Sequence, residues 1–210
     1  MWMIALRDLQ WRRRRFIIAV LATALVFALT LLLSGAGTGL RNEATAIVDV
    51  IDVDAWVVPE GTSGPFTASS ALPAAAAGDV AEVPGVRRAD PLVFLRATVG
   101  QGDERDVNVI GYTTGGVVGP AVDDGRLPER PGETLADSSL GYDIGEELRL
   151  NDRPLRVVGE RGGITFNFGV PTLFVPIEDV QALAFGGSPL ATSIVTDGAP
   201  RPRRVDRARP

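Results

Sequence analysis

The chain has 210 residues, 45% of them hydrophobic, with a mean hydropathy of +0.15. That is too polar for a protein made mainly of membrane spans, and the length suits one medium domain plus a membrane element. The net charge of −5 hides +4 on residues 1–15 and +4 on the last ten, which leaves −13 on residues 16–200. An acidic middle argues against a phosphate-binding face and so against nucleic acid as a partner. The chain has no cysteine, histidine or lysine; disulfides, thiolate chemistry, Ser-His-Asp triads and Ser-Lys pairs are therefore excluded.

Residues 1–15 place Trp2, Leu6, Leu9 and Trp11 near helical spacing among Arg7 and Arg12–Arg15. Two readings stand: an amphipathic helix on the inner leaflet with its Trp rings at the interface, or an unstructured basic leader. From Phe16 to Leu33 no residue is charged, and Thr23 and Thr30 alone are polar. Such a run makes about 27 Å of helix, close to the hydrocarbon thickness of a bilayer. A transmembrane helix is expected over 16–36, with the threonine hydroxyls bonded back to their own helix. "SGA" at 34–36 offers a cleavage site, but signal-peptide cores have about 7–15 apolar residues and this run is longer. Cleavage is the weaker reading. Arg12, Arg13, Arg14 and Arg15 outweigh the single Arg41 beyond the run. These four are the candidate topology-determining residues: they keep the N-terminus cytoplasmic and put the chain after about residue 38 outside.

The helix is expected to continue as a stalk over 37–53. An extracytoplasmic domain follows over 54–198, and an Arg/Pro-rich tail over 199–210 is expected to be disordered. Within the domain, "DAWVVPEG" (54–61) reads as a short strand and "LPAAAAGDVAEVPGV" (72–86) as a helix with Pro73 in its first turn. Residues 86–99 and 105–114 read as strands joined across the glycines of "GQGDE", and "GGVVGPAVDDGRLPERPGET" as a Gly/Pro-rich excursion. Next come a strand, a one-turn helix capped by Asp137 or Ser138, a turn at Gly145, and a hairpin around Asn151-Asp152, since both residue types tolerate left-handed turn positions. A strand at 172–175 leads into a helix with Ile177, Val180, Leu183 and Ala184 on one face, and "ATSIVTDG" closes as a strand. The pattern is that of an α+β domain, mostly antiparallel, with no internal repeat.

Carboxylates are the only obvious reactive groups: Asp49, Asp52 and Asp54; Asp103, Glu104 and Asp106; Asp123-Asp124; and Glu146-Glu147. None has EF-hand or other ligand spacing, so the expected role is solvated charge in turns, with no metal or cofactor. Ser138 and Ser139 lack a nucleophile elbow. "YTTGGVVG" (112–119) lacks the lysine and spacing of a phosphate loop. An enzyme is not expected.

Three stretches taken together carry a resemblance: "IALRDLQWRRRRF" running into the apolar run, "PGETLADSSLGYDIGEELRLNDRPLRVVGE" (131–160) and "VPTLFVPIEDVQALAFG" (170–186). Their order resembles the FtsX-like, MacB-type permease subunits of ABC transporters, with Glu146 where that family often has Asp. The resemblance implies a first membrane helix, a MacB-type periplasmic core domain and further membrane helices in the bacterial plasma membrane. It implies no catalysis, and as partners a separate ATPase subunit, a second permease copy, membrane lipids and a periplasmic or cell-surface protein or an amphiphilic substrate. The Arg/Pro-rich ending differs from the family's continuation, which raises the expectation of a truncated, split or frameshifted permease. The alternative is a single-pass anchored binding or regulatory module; an adjacent reading frame with membrane spans and an ATPase gene would discriminate between them.

Overall fold

A computed structural model describes residues 13–62, 64–66, 70–100, 102, 104–166 and 169–200. The basic leader with both of its readings, Arg12 included, most of the 199–210 tail, Gln101 and Asp103 lie outside the described residues. The chain divides into two compact units, Met1–Asn42 and Glu43–Pro210.

Among the described residues the first unit is the body of helix α1, which is assigned from Arg13 to Ile51. Its apolar segment Ile17–Gly35 is solvent-exposed throughout, with Leu21, Leu25, Phe27 and Leu31 more than half exposed. A helix apolar all round and covered by no protein is long and apolar enough to cross a membrane. Thr23 Oγ1 donates to the carbonyl of Ala19 at 2.9 Å and Thr30 Oγ1 to that of Val26 at 2.8 Å, so both hydroxyls are satisfied within the helix, as expected.

The second unit is an α+β domain whose main sheet has ten strands. In chain order these are β1 (Ala55–Val57), β3 (Arg88–Val99), β4 (Arg105–Tyr112), β5 (Asp124–Gly125), β6 (Glu133–Asp137), β7 (Glu147–Leu150), β8 (Arg153–Arg161), β9 (Thr165–Phe166), β10 (Val170–Pro176) and β12 (Ser193–Asp197). A separate two-stranded sheet pairs β2 (Leu72–Pro73) with β11 (Leu190–Ala191). The main path runs β1-β12-β3-β4-β10-β6-β8-β5; β7 pairs with β3 and β8, and β9 with β10. Every pair is antiparallel except β4–β10 and β6–β8. Those two parallel ladders need strands buried on both faces. β4 and β10 supply this: Val107–Tyr112 and Pro171–Pro176 are buried at every position.

Alternation along these strands sends side chains to two cores. Val93, Val109, Leu173 and Val175 meet Ala77 of α2 (Ala76–Ala81) and Ile177 and Val180 of α3 (Ile177–Ala184). Leu92, Ile110, Leu135 and Phe174 face the other way, and there Ile51, the last residue of α1, is 1% exposed.

Two local expectations need correction. Pro73 does not open a helix; it lies in β2 opposite Leu190, and α2 starts only at Ala76. A two-residue ladder with the Ala74 N–H donating to Pro189 O at 2.9 Å anchors this stretch, and proline fits a short peripheral strand, where its missing N–H costs little. Ala184 is exposed, and Phe185 packs against the core beside Leu183 instead. The helix turns out of its ideal phase at its C-cap, where Phe185 leaves the helical region at φ −129°.

Candidate functional site

Helix α1 carries the apolar span and also reaches the core domain. Its first turn contains no acidic residue; Arg14 and Arg15 are exposed, α1 begins at Arg13, and Arg12 lies outside the described residues. Positive charge at a helix N-terminus opposes the helix dipole. Local helix energetics therefore do not account for the arginines at this end of α1. Gly35 at the end of the apolar segment and Gly37 and Gly39 just after it stay helical, each at a cost of about 0.5–1 kcal/mol relative to alanine.

At its far end the helix stops at Ile51. Asp52 takes the left-handed conformation, φ 49°, and its N–H donates to Val48 O at 3.0 Å. A reversal of this kind ends helices, and Asp is among the few non-glycine residues that accept it cheaply. The chain then enters edge strand β1, which pairs antiparallel with β12 through Ala55↔Thr196, Trp56↔Val195 and Val57↔Ile194.

Where β1 begins and β12 ends, three segments meet. The Asp54 N–H donates to Thr196 O at 3.0 Å, and the Gly198 N–H donates to Asp54 Oδ2 at 2.6 Å. Arg87, in the turn before β3, grips Asp197 with Nε and Nη2, and its Nη2 lies 3.6 Å from Asp54 Oδ2. Its backbone N–H donates to Asp197 O at 2.7 Å. The forked guanidinium holds the Asp197 carboxyl below the usual range, mainly through its own hydrogen bonding to that carboxylate. Gly198, at φ 91°, lies so close to the turn that an added Cβ would stand 2.3 Å from Gly85 O; only glycine fits there.

Two other carboxylates of the acidic pairs hold backbone: Asp123 Oδ2 accepts from the Gly162 N–H at 2.9 Å and ties two loops together, and Glu146 Oε2 accepts from the Asp143 N–H at 3.0 Å and closes a turn. A family model for the MacB-like periplasmic core domain matches residues 16–201. The chain belongs to that family. An ABC transporter permease of Mycobacterium bovis is 42% identical over 198 residues, which is 94% of this chain and 57% of that protein. Another from Mycobacterium tuberculosis is 40% identical over the same share of each. The chain thus spans 57% of the length of the curated relatives it matches. The extracellular domain of the ABC-type transporter YknZ from Gram-positive bacteria shares 13% identity, with a TM-score of 0.49 over 68% of this chain and 81% of that one. Permease relatives together with an apolar N-terminal helix are the marks of a membrane protein.

Within this MacB-like domain the expected acidic clusters do not converge. Asp54 joins the Arg87 junction, Asp52 caps α1, and Asp103 and the side chain of Asp49 lie outside the description. Among the described residues no group of three acidic residues stands close enough to hold a metal. Ser138 and Ser139 form a one-turn helix (Ser138–Leu140) whose cap is Asp137, the first of the two expected candidates. The "YTTGGVVG" loop borders a cleft of about 430 Å³ with Leu127, Pro128 and Glu129. Its lining contains no basic side chain, so it does not suit a phosphate. Composition and spacing gave no hint of Arg87 as a junction residue, because its partners lie far away in the chain. The one local signal was a PG turn followed by two arginines.

Proposed function

We propose that the chain is a permease subunit of an ABC transporter, or the N-terminal part of one, without catalysis of its own. In this reading a separate ATPase drives motion that α1 carries into the extracytoplasmic core domain, while a second permease copy completes the membrane pair. The domain engages a periplasmic or cell-surface protein or an amphiphilic substrate. The division is a cytoplasmic leader at 1–15, a transmembrane helix at 16–36, a stalk at 37–53, a core domain at 54–198 and a tail at 199–210. Arg12–Arg15 hold the N-terminus in the cytoplasm of a bacterial plasma membrane.

One observation supports this above the others: a single helix contains the apolar span and ends with Ile51 buried in the core domain. A simple tether would gain nothing from a buried, capped junction, whereas a helix that passes on displacement needs one. Protease mapping of intact cells against inside-out vesicles is the test. Residues 54–198 should be cut only from outside, and the reading falls if they are cut from the cytoplasmic face.

A further inference from the structure

We propose that Arg87, Asp54 and Asp197 form a latch that sets the load at which the core domain opens. The proposal rests on the permease reading in one respect, that load arrives through α1. The topology defines how such a load acts. The chain enters β1 at Asp54 and leaves β12 at Asp197-Gly198, at the same end of one antiparallel pair. Tension between the incoming helix and the outgoing chain therefore does not shear the ladder. It peels the ladder, and rungs loaded in turn fail one at a time, beginning with the first.

At that first rung the bonds are concentrated. Asp54 accepts from the Gly198 N–H and donates through its own N–H to Thr196 O; Thr196 Oγ1 donates to Gly198 O at 2.9 Å. Arg87 bridges both carboxylates from a third segment and adds its backbone N–H to Asp197 O. Beyond this rung β1 has three residues and pairs with β12 alone, whereas β12 is held on its other side by five pairs to β3. Once the latch gives, β1 is the strand that leaves.

Exposure points the same way. The side chains of Arg87 and Asp54 are 68% and 53% exposed. Ion pairs this wet contribute little to equilibrium stability. A wet cluster placed anywhere would be incidental; placed on the rung that peels first, it fixes the order of opening. Peeling β1 also draws Ile51 and Trp56 away from the second core, so the latch guards the contact through which the helix holds the domain.

The chain contains no cysteine, which allows clean attachment of pulling handles to the full-length protein. Handles at Val48→Cys and Ala199→Cys load the latch; handles at Asp79→Cys and Ile144→Cys load the domain along another axis. All four positions are exposed. Under constant force, Arg87→Gln should raise the rate of the first opening event about two- to fivefold on the first axis, the scale of a lost exposed ion pair. It should leave the second axis unchanged, and Arg87→Lys should restore part of the resistance. An equal change on both axes would mean general destabilisation and would overturn the latch, as would no change on the first. The measurement uses no ATPase and no membrane orientation, so its outcome is independent of the protease mapping.

Discussion

Asp137 and Ile164 meet through a buried hydrogen bond, the Ile164 N–H donating to Asp137 Oδ2 at 2.7 Å across 27 residues of chain. The other oxygen, Oδ1, accepts from the Ser139 N–H at 2.9 Å, so one carboxylate caps a one-turn helix and pins the return loop after β8. Asp137 is 1% exposed. Asp137→Asn replaces one acceptor with a donor that faces a backbone N–H. The expected loss is about 1.5–3 kcal/mol, read as a lower urea midpoint with an unchanged slope.

Ile51 gives a second measure of how α1 is held. Ile51→Ala removes a fully buried side chain from the core that also holds Leu92 and Ile110 and should cost about 2–5 kcal/mol, Ile51→Val about 0.5–1.5. Thermal unfolding of the two variants should rank in that order. Equal melting temperatures would show that the end of the helix is not part of the cooperative core.

Burial pushes the Asp179 carboxyl up, against the lowering effect of the Gly132 N–H that it accepts at 2.8 Å. A carboxyl raised on folding holds its proton longer in the native state than in the unfolded chain. Stability therefore falls as pH rises from the unfolded value through the folded one, and the penalty is complete above it. Asp179→Asn keeps an acceptor for Gly132 and has no charge to bury. It should melt higher than the parent at pH 7, with the gap closing on acidification.

Glu133 behaves in the opposite sense. The Arg126 guanidinium, followed by the backbone N–H groups of Glu129 and Arg130, holds its carboxyl down to about 2. The stabilisation is present above the unfolded value near 4.5 and is lost as pH falls toward 2. Glu133→Gln should lower the melting temperature at pH 7 and match the parent near pH 2. A gap that persists in acid would assign the loss to packing and not to charge.

Gly35, Gly37 and Gly39 lie where α1 passes from its apolar segment into its continuation. Replacing all three with alanine should firm the helix by about 1.5–3 kcal/mol. Slower amide exchange at residues 36–43 would register the change.

How far these features were legible beforehand depended on their range in the chain. The helix of the apolar run, the strand from Glu133 and the turn with Asn151 at φ 51° are all written in neighbouring residues, which also narrow the cap to Asp137 or Ser138, of which the structure takes Asp137. The parallel β4–β10 ladder was not legible: Val107–Tyr112 and Val170–Pro176 announce buried strands, but nothing local says that the two are neighbours. Pro73 misled because proline suits both a helix start and a short peripheral strand, and Leu190, which decided between them, is far off in sequence. Gly159 of the "VVGE" motif was recognised as a pattern only. The structure supplies its reason: a Cβ there would meet Arg126 O at 2.2 Å, just past the antiparallel pairing of β5 with β8.

Because Ala55 and Thr196 are opposite one another on adjacent strands, the domain's two chain ends emerge about 5 Å apart. A fold closed in this way is an insert. Together with the buried end of α1, it needs from the rest of a chain only two connections that stand one strand apart.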